Sequence, residues 1–189
     1  MLIPMLFDHP EMIGLVLQRT PSWVWFLLAG LTWLGVSQLR DRKAGLARVS
    51  LLPVIMTGLS IWGIVGAFSA SPMFGYTMLV WMLVAAIAFA AIGVTSAPQG
   101  TQYDPATRTY FLPGSVLPLL MILGIFLTRY VVNVDIAMNP ALTRDGQYTL
   151  IVAAMYGLFT GSFVGRAARL WRLAAEGSGA SFLLQRNAR

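Results

Sequence analysis

The sequence predicts an all-α membrane protein: a bundle of five transmembrane helices, an N-terminal amphipathic interfacial helix and a small cytoplasmic β-hairpin loop. Three observations predict it. Of 189 residues, 57% are hydrophobic and 11% charged, with a mean hydropathy of +0.71; a soluble domain carries roughly a quarter charged residues. Charge-free windows of spanning length recur along the chain. Basic residues gather at alternate ends of those windows, as they do on the cytoplasmic side of membrane proteins.

A bilayer core of about 30 Å needs about 20 helical residues. Residues 21–39 give 19 without charge, 49–103 give 55, enough for two spans and a turn, and 109–128 and 146–165 give 20 each. The spans are expected near 21–39, 49–68, 76–95, 115–138 and 148–168, within one domain over 21–175. Before them, residues 11–20 alternate apolar Met12, Ile13, Leu15, Val16 and Leu17 with polar Glu11, Gln18 and Arg19. The segment 1–20 is therefore expected to hold an amphipathic helix on the outer face, the alternative being an extension of span one broken at Pro21. It lacks the basic start and long apolar core of a cleavable signal peptide.

Punctuation supports these limits. Thr20-Pro21 predicts a helix start, with Thr20 as N-cap and proline at the first helical position. Ser69 to Gly75 predicts a tight turn between spans two and three. Asn139-Pro140 ends span four, because proline cannot continue a helix. Asp145-Gly146 predicts a turn before span five. In the loop 96–114, Asp104-Pro105-Ala106-Thr107 separates two aromatic and β-branched flanks, which predicts a hairpin of 101–103 with 109–112. Residues 50–56 (SLLPVIM) are echoed 65 residues later by 115–121 (SVLPLLM). This admits either a parallel repeat or convergence on a common helix start. After Glu176 the chain, Gly-Ser-Gly-Ala-Ser, is expected to be a flexible cytoplasmic tail.

Orientation follows from the 13 basic residues. With the 40–48 loop in the cytoplasm, ten of them fall on that side, Arg19 and Arg144 fall outside, and Arg129 is left within span four. The N-terminus is then outside and the C-terminus cytoplasmic. Arg40, Arg42, Lys43, Arg48, Arg166, Arg169 and Arg172 are the expected contacts to anionic lipid on the cytoplasmic face. This reading of the +6 net charge outranks nucleic-acid binding.

Arg129 is the most costly residue in the apolar slab. From Ser115 it lies 14 residues along span four, about 21 Å from the inner boundary. A charge there raises a functional hypothesis. Asn133 at i+4 shares its face. With Tyr130, and with Asp135 about 240° around the helix, it makes a candidate polar site for an anion, a headgroup or a proton-linked gate. The competing reading is an arginine that snorkels outward on its aliphatic stem.

Gly157, Gly161 and Gly165 stack on one face of span five. Small residues at this spacing let two helix backbones approach closely. A homodimer seam or a contact with the alanine-rich third span (Ala85, Ala86, Ala88, Ala90, Ala91) would both use them. No cysteine and one histidine, His9, leave no metal or cofactor site in prospect. No paired carboxylates, P-loop or nucleophile–histidine pairing points to an enzyme.

The runs TPSWVWFLLAGL, QLRDRKAGLARVSLLP, YDPATRTYFLPGS, GIFLTRYVV and YGLFTGSFVGRAARLWRL, taken in order, are similar to a family of small uncharacterised multi-pass bacterial inner-membrane proteins. The resemblance covers roughly residues 18–174. It implies a bacterial inner-membrane location and a recurring basic residue before Tyr130, but no activity. A fainter likeness is to a membrane protein family associated with cytochrome c maturation, which implies an accessory role. Two functions follow. The first is a small transporter or channel-like protein built around Arg129. The second is a non-catalytic accessory or scaffold subunit, acting as a homodimer or within a larger membrane complex.

Overall fold

The computed structural model describes Gly14, Gln18 and residues 20–187. Among these residues the chain forms five helices long and apolar enough to cross a membrane, and one small sheet. The helices are α1 (Ser22–Val36, prolonged by a 3-10 turn, Ser37–Leu39), α2 (Leu46–Phe68), α3 (Phe74–Gly93), α4 (Leu117–Met138) and α5 (Gly146–Asn187). The amphipathic segment expected over 1–20 lies outside the described residues, except that Gly14 and Gln18 are helical and exposed. The first four helices begin and end within a few residues of the expected segments, whereas α5 runs well past the expected end at 168.

Local chemistry sets the ends. Asp145 caps α5: its Oδ1 accepts from Tyr148 N at 3.1 Å, satisfying one of the first-turn donors. Asn139 follows the last residue of α4, and its side chain caps the next 3-10 turn (Pro140–Arg144) by accepting from Ala141 N at 3.2 Å. At α1 the expectation fails, since Pro21 stands at the N-cap. The Thr20 hydroxyl instead shares a 2.6 Å hydrogen bond with the Tyr130 hydroxyl on α4. α5 runs on to Asn187 where a flexible tail is expected. Leu183, Leu184 and Gln185 are good helix formers that offset Gly177 and Gly179.

The two copies of the short repeat also differ. Pro118 lies at the start of α4, whereas Pro53 lies inside α2, two turns from its beginning. There it withholds the hydrogen bond that the Val49 carbonyl would otherwise accept.

The hairpin is present as β2 (Gln102–Asp104) and β3 (Thr109–Leu112). Its turn is held by Asp104, which accepts from Ala106 N at 3.0 Å and from the Thr107 hydroxyl at 2.7 Å. The Thr107 and Ala106 bonds hold the Asp104 carboxyl below the usual carboxylate range. Arg108 completes the turn with a left-handed backbone, φ 52°. A third strand, β1 (Arg42–Gly45), pairs antiparallel with β3 in the order β1-β3-β2, with Ala44 opposite Tyr110 and Tyr103 opposite Tyr110 on the other side. The α1–α2 and α3–α4 connections are thereby joined at one end of the bundle. Ser115 N donating to Gln38 O at 3.0 Å, and Gly114 N to Asp41 Oδ1 at 2.8 Å, fasten the same junction.

At the opposite end, Ile64, Phe68, Val132, Leu142, Tyr148, Val152 and Tyr156 form a buried cluster under the α2–α3 and α4–α5 turns. Between the ends, α3 and α5 run side by side in the same direction. A Cβ on Gly157 would crowd the Trp81 carbonyl, one on Gly161 would overlap the Ala85 carbonyl, and one on Gly165 would press on Phe89 and Ile92. The glycine face of α5 is thus taken up by α3 of the same chain. Trp81 Nε1 adds a polar link to buried Ser60 of α2 at 3.1 Å.

Candidate functional site

The sheet end carries a cavity of about 500 Å³. Four arginines reach its wall from three elements: Arg42 from β1, Arg48 from the first turn of α2, and Arg166 and Arg169 from α5. Their positions follow from simple rules. Arg166 and Arg169 are i and i+3, so they share one side of α5. Arg42 and Arg48 are brought over by the pairing of β1 with β3. Among the described residues the lining contains no Asp or Glu.

The arginines differ in how far they are already engaged. Arg42 Nη2 donates to the side-chain oxygen of buried Gln38 at 2.8 Å. Burial, and then the neighbouring Arg48 charge, hold Arg42 below the ordinary arginine pKa. Arg169 Nη1 donates to Thr95 Oγ1 at 3.1 Å and to Ser96 O at 3.2 Å. Among the described residues its Nε is buried with no hydrogen-bond partner, as is the Oγ1 of Thr101, and both residues line the cavity. A buried polar atom left unpaired costs roughly 1–3 kcal/mol. Gln99 and Ser115 add polar groups to the wall, and its apolar part includes Leu34, Leu51, Pro53, Ile55, Pro118 and Phe163.

The floor of the site is the sheet. Tyr110 of β3 is fully buried and donates its hydroxyl to Leu170 O of α5 at 2.9 Å. Its ring meets Tyr103 at a centroid distance of 4.9 Å. Burial, and then Tyr103, push its pKa up to about 12.

Of the seven basic residues expected at lipid, four therefore converge. Arg40 and Lys43 are exposed and outside this lining. Arg172 turns to Thr95 O at 2.9 Å. Gln38, Thr101 and Phe163 join the site without having been singled out in the sequence. Thr101 and Phe163 carry no sequence signal, while Gln38 could have been suspected as the lone amide at the end of an apolar span.

The polar residues of α4 are dispersed. Arg129 Nη1 donates to Leu59 O of α2 at 3.2 Å. Its approach crosses Gly63, one turn on, where a Cβ would meet Tyr156 Oη at 3.4 Å and Arg129 Cζ at 3.7 Å. Tyr130 bonds Thr20 and stacks on Phe126. Asn133 donates back to Arg129 O at 2.7 Å. Asp135 is buried and accepts from the Tyr148 hydroxyl at 3.2 Å. None of these four lines the cavity at the sheet end. Among the described residues no three His, Cys, Asp or Glu side chains come together as metal ligands.

A family model described as a family of unknown function, DUF6622, matches residues 1–181, and the chain belongs to that family. The match extends beyond the 18–174 expected from resemblance and takes in the first residues after Glu176. No curated protein and no solved structure matches the chain.

Proposed function

We propose that this family member is an integral protein of the bacterial inner membrane that binds an anionic ligand, without catalysis, at its cytoplasmic face. One observation carries the reading: four arginines surround a cavity that has no carboxylate in its described lining. Like charges held together in this way are a standing demand for an anion, and the guanidinium fork suits phosphate or carboxylate.

Membrane insertion is supported by what the helices leave exposed. Phe26 is 76% exposed, Trp33 75% and Trp62 73%. Soluble monomers rarely expose contiguous apolar patches larger than a few hundred Å². The sheet end faces the cytoplasm on this reading, because it carries Arg40, Arg42, Lys43, Arg48, Arg108, Arg166, Arg169 and Arg172, while the described part of the other end carries Arg144.

Arg129 reads as a clasp between helices. It gives a second hydrogen bond to a carbonyl that Gly63 N already serves within α2. That role favours an anion-binding or accessory protein over a conduit centred on Arg129. A homodimer or larger complex would have to use a face other than the glycine seam, which α3 occupies.

Titration of the detergent-solubilised chain with inorganic phosphate tests the reading. Binding is expected, and the Arg48→Gln, Arg166→Gln double variant is expected to weaken it at least about tenfold. Neither guanidinium makes a hydrogen bond within the described structure, so the folded state should survive. Absence of phosphate binding, or unchanged binding by a folded double variant, contradicts the proposal.

A further inference from the structure

We infer that the ligand of this cavity is an anionic phospholipid of the cytoplasmic leaflet, its phosphate among the four arginines and its chains leaving sideways between the helices. The inference rests on the anion-binding reading above and adds the apolar half of the ligand.

Polarity in the cavity is graded along the helix axes. On α2, Arg48 stands in the first turn, and Leu51 and Ile55 follow on the same side, about 4.5 Å and about 10 Å deeper at 1.5 Å per residue. α5 repeats the order in reverse, with Phe163 deep and Arg166 and Arg169 toward the sheet. α1 does the same with Leu34 and Gln38. Three helices thus place charge or amide at one level and hydrocarbon at the next. A free inorganic anion has no use for the deeper level, whereas a lipid matches both.

The cavity is also open in the direction a lipid would need. Leu51 is 58% exposed and Ile55 45% exposed, yet both line it. They lie on an apolar helix face that the membrane reading puts against acyl chains. The volume of about 500 Å³ lies within the range of ligand sites, about 300–1,000 Å³. It accommodates a headgroup and the start of the chains, which then continue along Leu51 and Ile55. At the charged level, Arg169 Nε and Thr101 Oγ1 are buried and have no hydrogen-bond partner among the described residues. Both can donate to phosphate oxygens.

Calorimetric titration of the detergent-solubilised full chain separates the sources. The probes are dioctanoyl phosphatidylglycerol, dioctanoyl phosphatidylcholine and glycerol phosphate. The anionic lipid is expected to bind about a hundredfold more tightly than glycerol phosphate, and the zwitterionic lipid to compete weakly. Leu51→Ala with Ile55→Ala, both at exposed positions, should weaken the lipid about tenfold and leave glycerol phosphate unchanged. Arg48→Gln with Arg166→Gln should weaken both. If glycerol phosphate binds as tightly as the lipid, the lipid inference falls and the anion-binding reading stands. If phosphatidylcholine binds as tightly as phosphatidylglycerol, the headgroup assignment is overturned. If neither anion binds, both readings fall together.

Discussion

The Tyr110 hydroxyl lies 2.9 Å from the carbonyl oxygen of Leu170, and this bond ties the three-stranded sheet to α5. Leu170 follows Arg169 directly, so the bond also fixes the height at which the α5 arginines meet Arg42 and Arg48. Removing the hydroxyl alone, in Tyr110→Phe, is expected to cost about 1 kcal/mol. Removing the ring, in Tyr110→Ala, should cost about 3–5 kcal/mol. Hydrogen exchange of the β1 and β3 amides reads the difference. Protection should fall modestly in the first variant and collapse in the second. Unchanged protection in Tyr110→Ala would show that the sheet does not depend on this anchor.

Alkali should act on the same residue. Its pKa is pushed up to about 12 by burial and Tyr103, above the ordinary value of about 10. The folded state therefore favours the neutral phenol. The contribution is complete below pH about 10 and is lost as pH rises from about 10 to about 12. Ultraviolet titration should show a late-ionising phase whose amplitude falls by one tyrosine in Tyr110→Phe. A variant with the same late phase as the parent would assign that phase elsewhere.

The glycine seam gives a paired test. Gly161→Ala places a methyl on the Ala85 carbonyl of α3 and should cost about 1–3 kcal/mol through forced separation of the helices. A Cβ on Gly58 of α2 meets nothing within 4 Å. Gly58→Ala should be neutral or stabilising by up to about 1 kcal/mol. Unfolding in mixed micelles by sodium dodecyl sulfate measures both. Equal effects would mean that the close approach of α3 and α5 carries no stability.

Arg129→Met removes the bond to Leu59 O and should lower stability by about 1.5–3 kcal/mol. Phosphate binding at the distant cavity should be unchanged, because Arg129 does not line it. A variant that folds normally but loses phosphate binding would restore α4 as the working site.

Much of the scaffold was legible because spanning helices write themselves as charge-free runs. Residues 21–39 and 146–165 are such runs, ending at Arg40 and Arg166. The hairpin was legible from Asp104-Pro105 between aromatic flanks. β1 was not, because Arg-Lys-Ala-Gly has no β-branched or aromatic residue. It is a strand only because β3 offers it an edge. The basic cavity was half legible. Every arginine in it was assigned to lipid, but positions 42, 48, 166 and 169 come from segments whose proximity is set by β1–β3 pairing and the Tyr110 anchor. The cluster around Arg129 failed as a unit for a related reason. Sequence spacing placed Arg129 and Asn133 on one face, but not which neighbouring helix would supply a carbonyl to each side chain.

On the proposed reading, five helices cross a bilayer with the basic cavity on its cytoplasmic side. The cysteine-free chain allows a direct measurement: single cysteines at Ala106, in the hairpin turn, and at Ala141, at the opposite end, probed in intact bacteria with a membrane-impermeant maleimide. Both sites are exposed. Ala141→Cys is predicted to label in intact cells, and Ala106→Cys only after the inner membrane is breached. Labelling of Ala106→Cys in intact cells with Ala141→Cys protected would invert the orientation, and labelling of both from one side would contradict the five-span account.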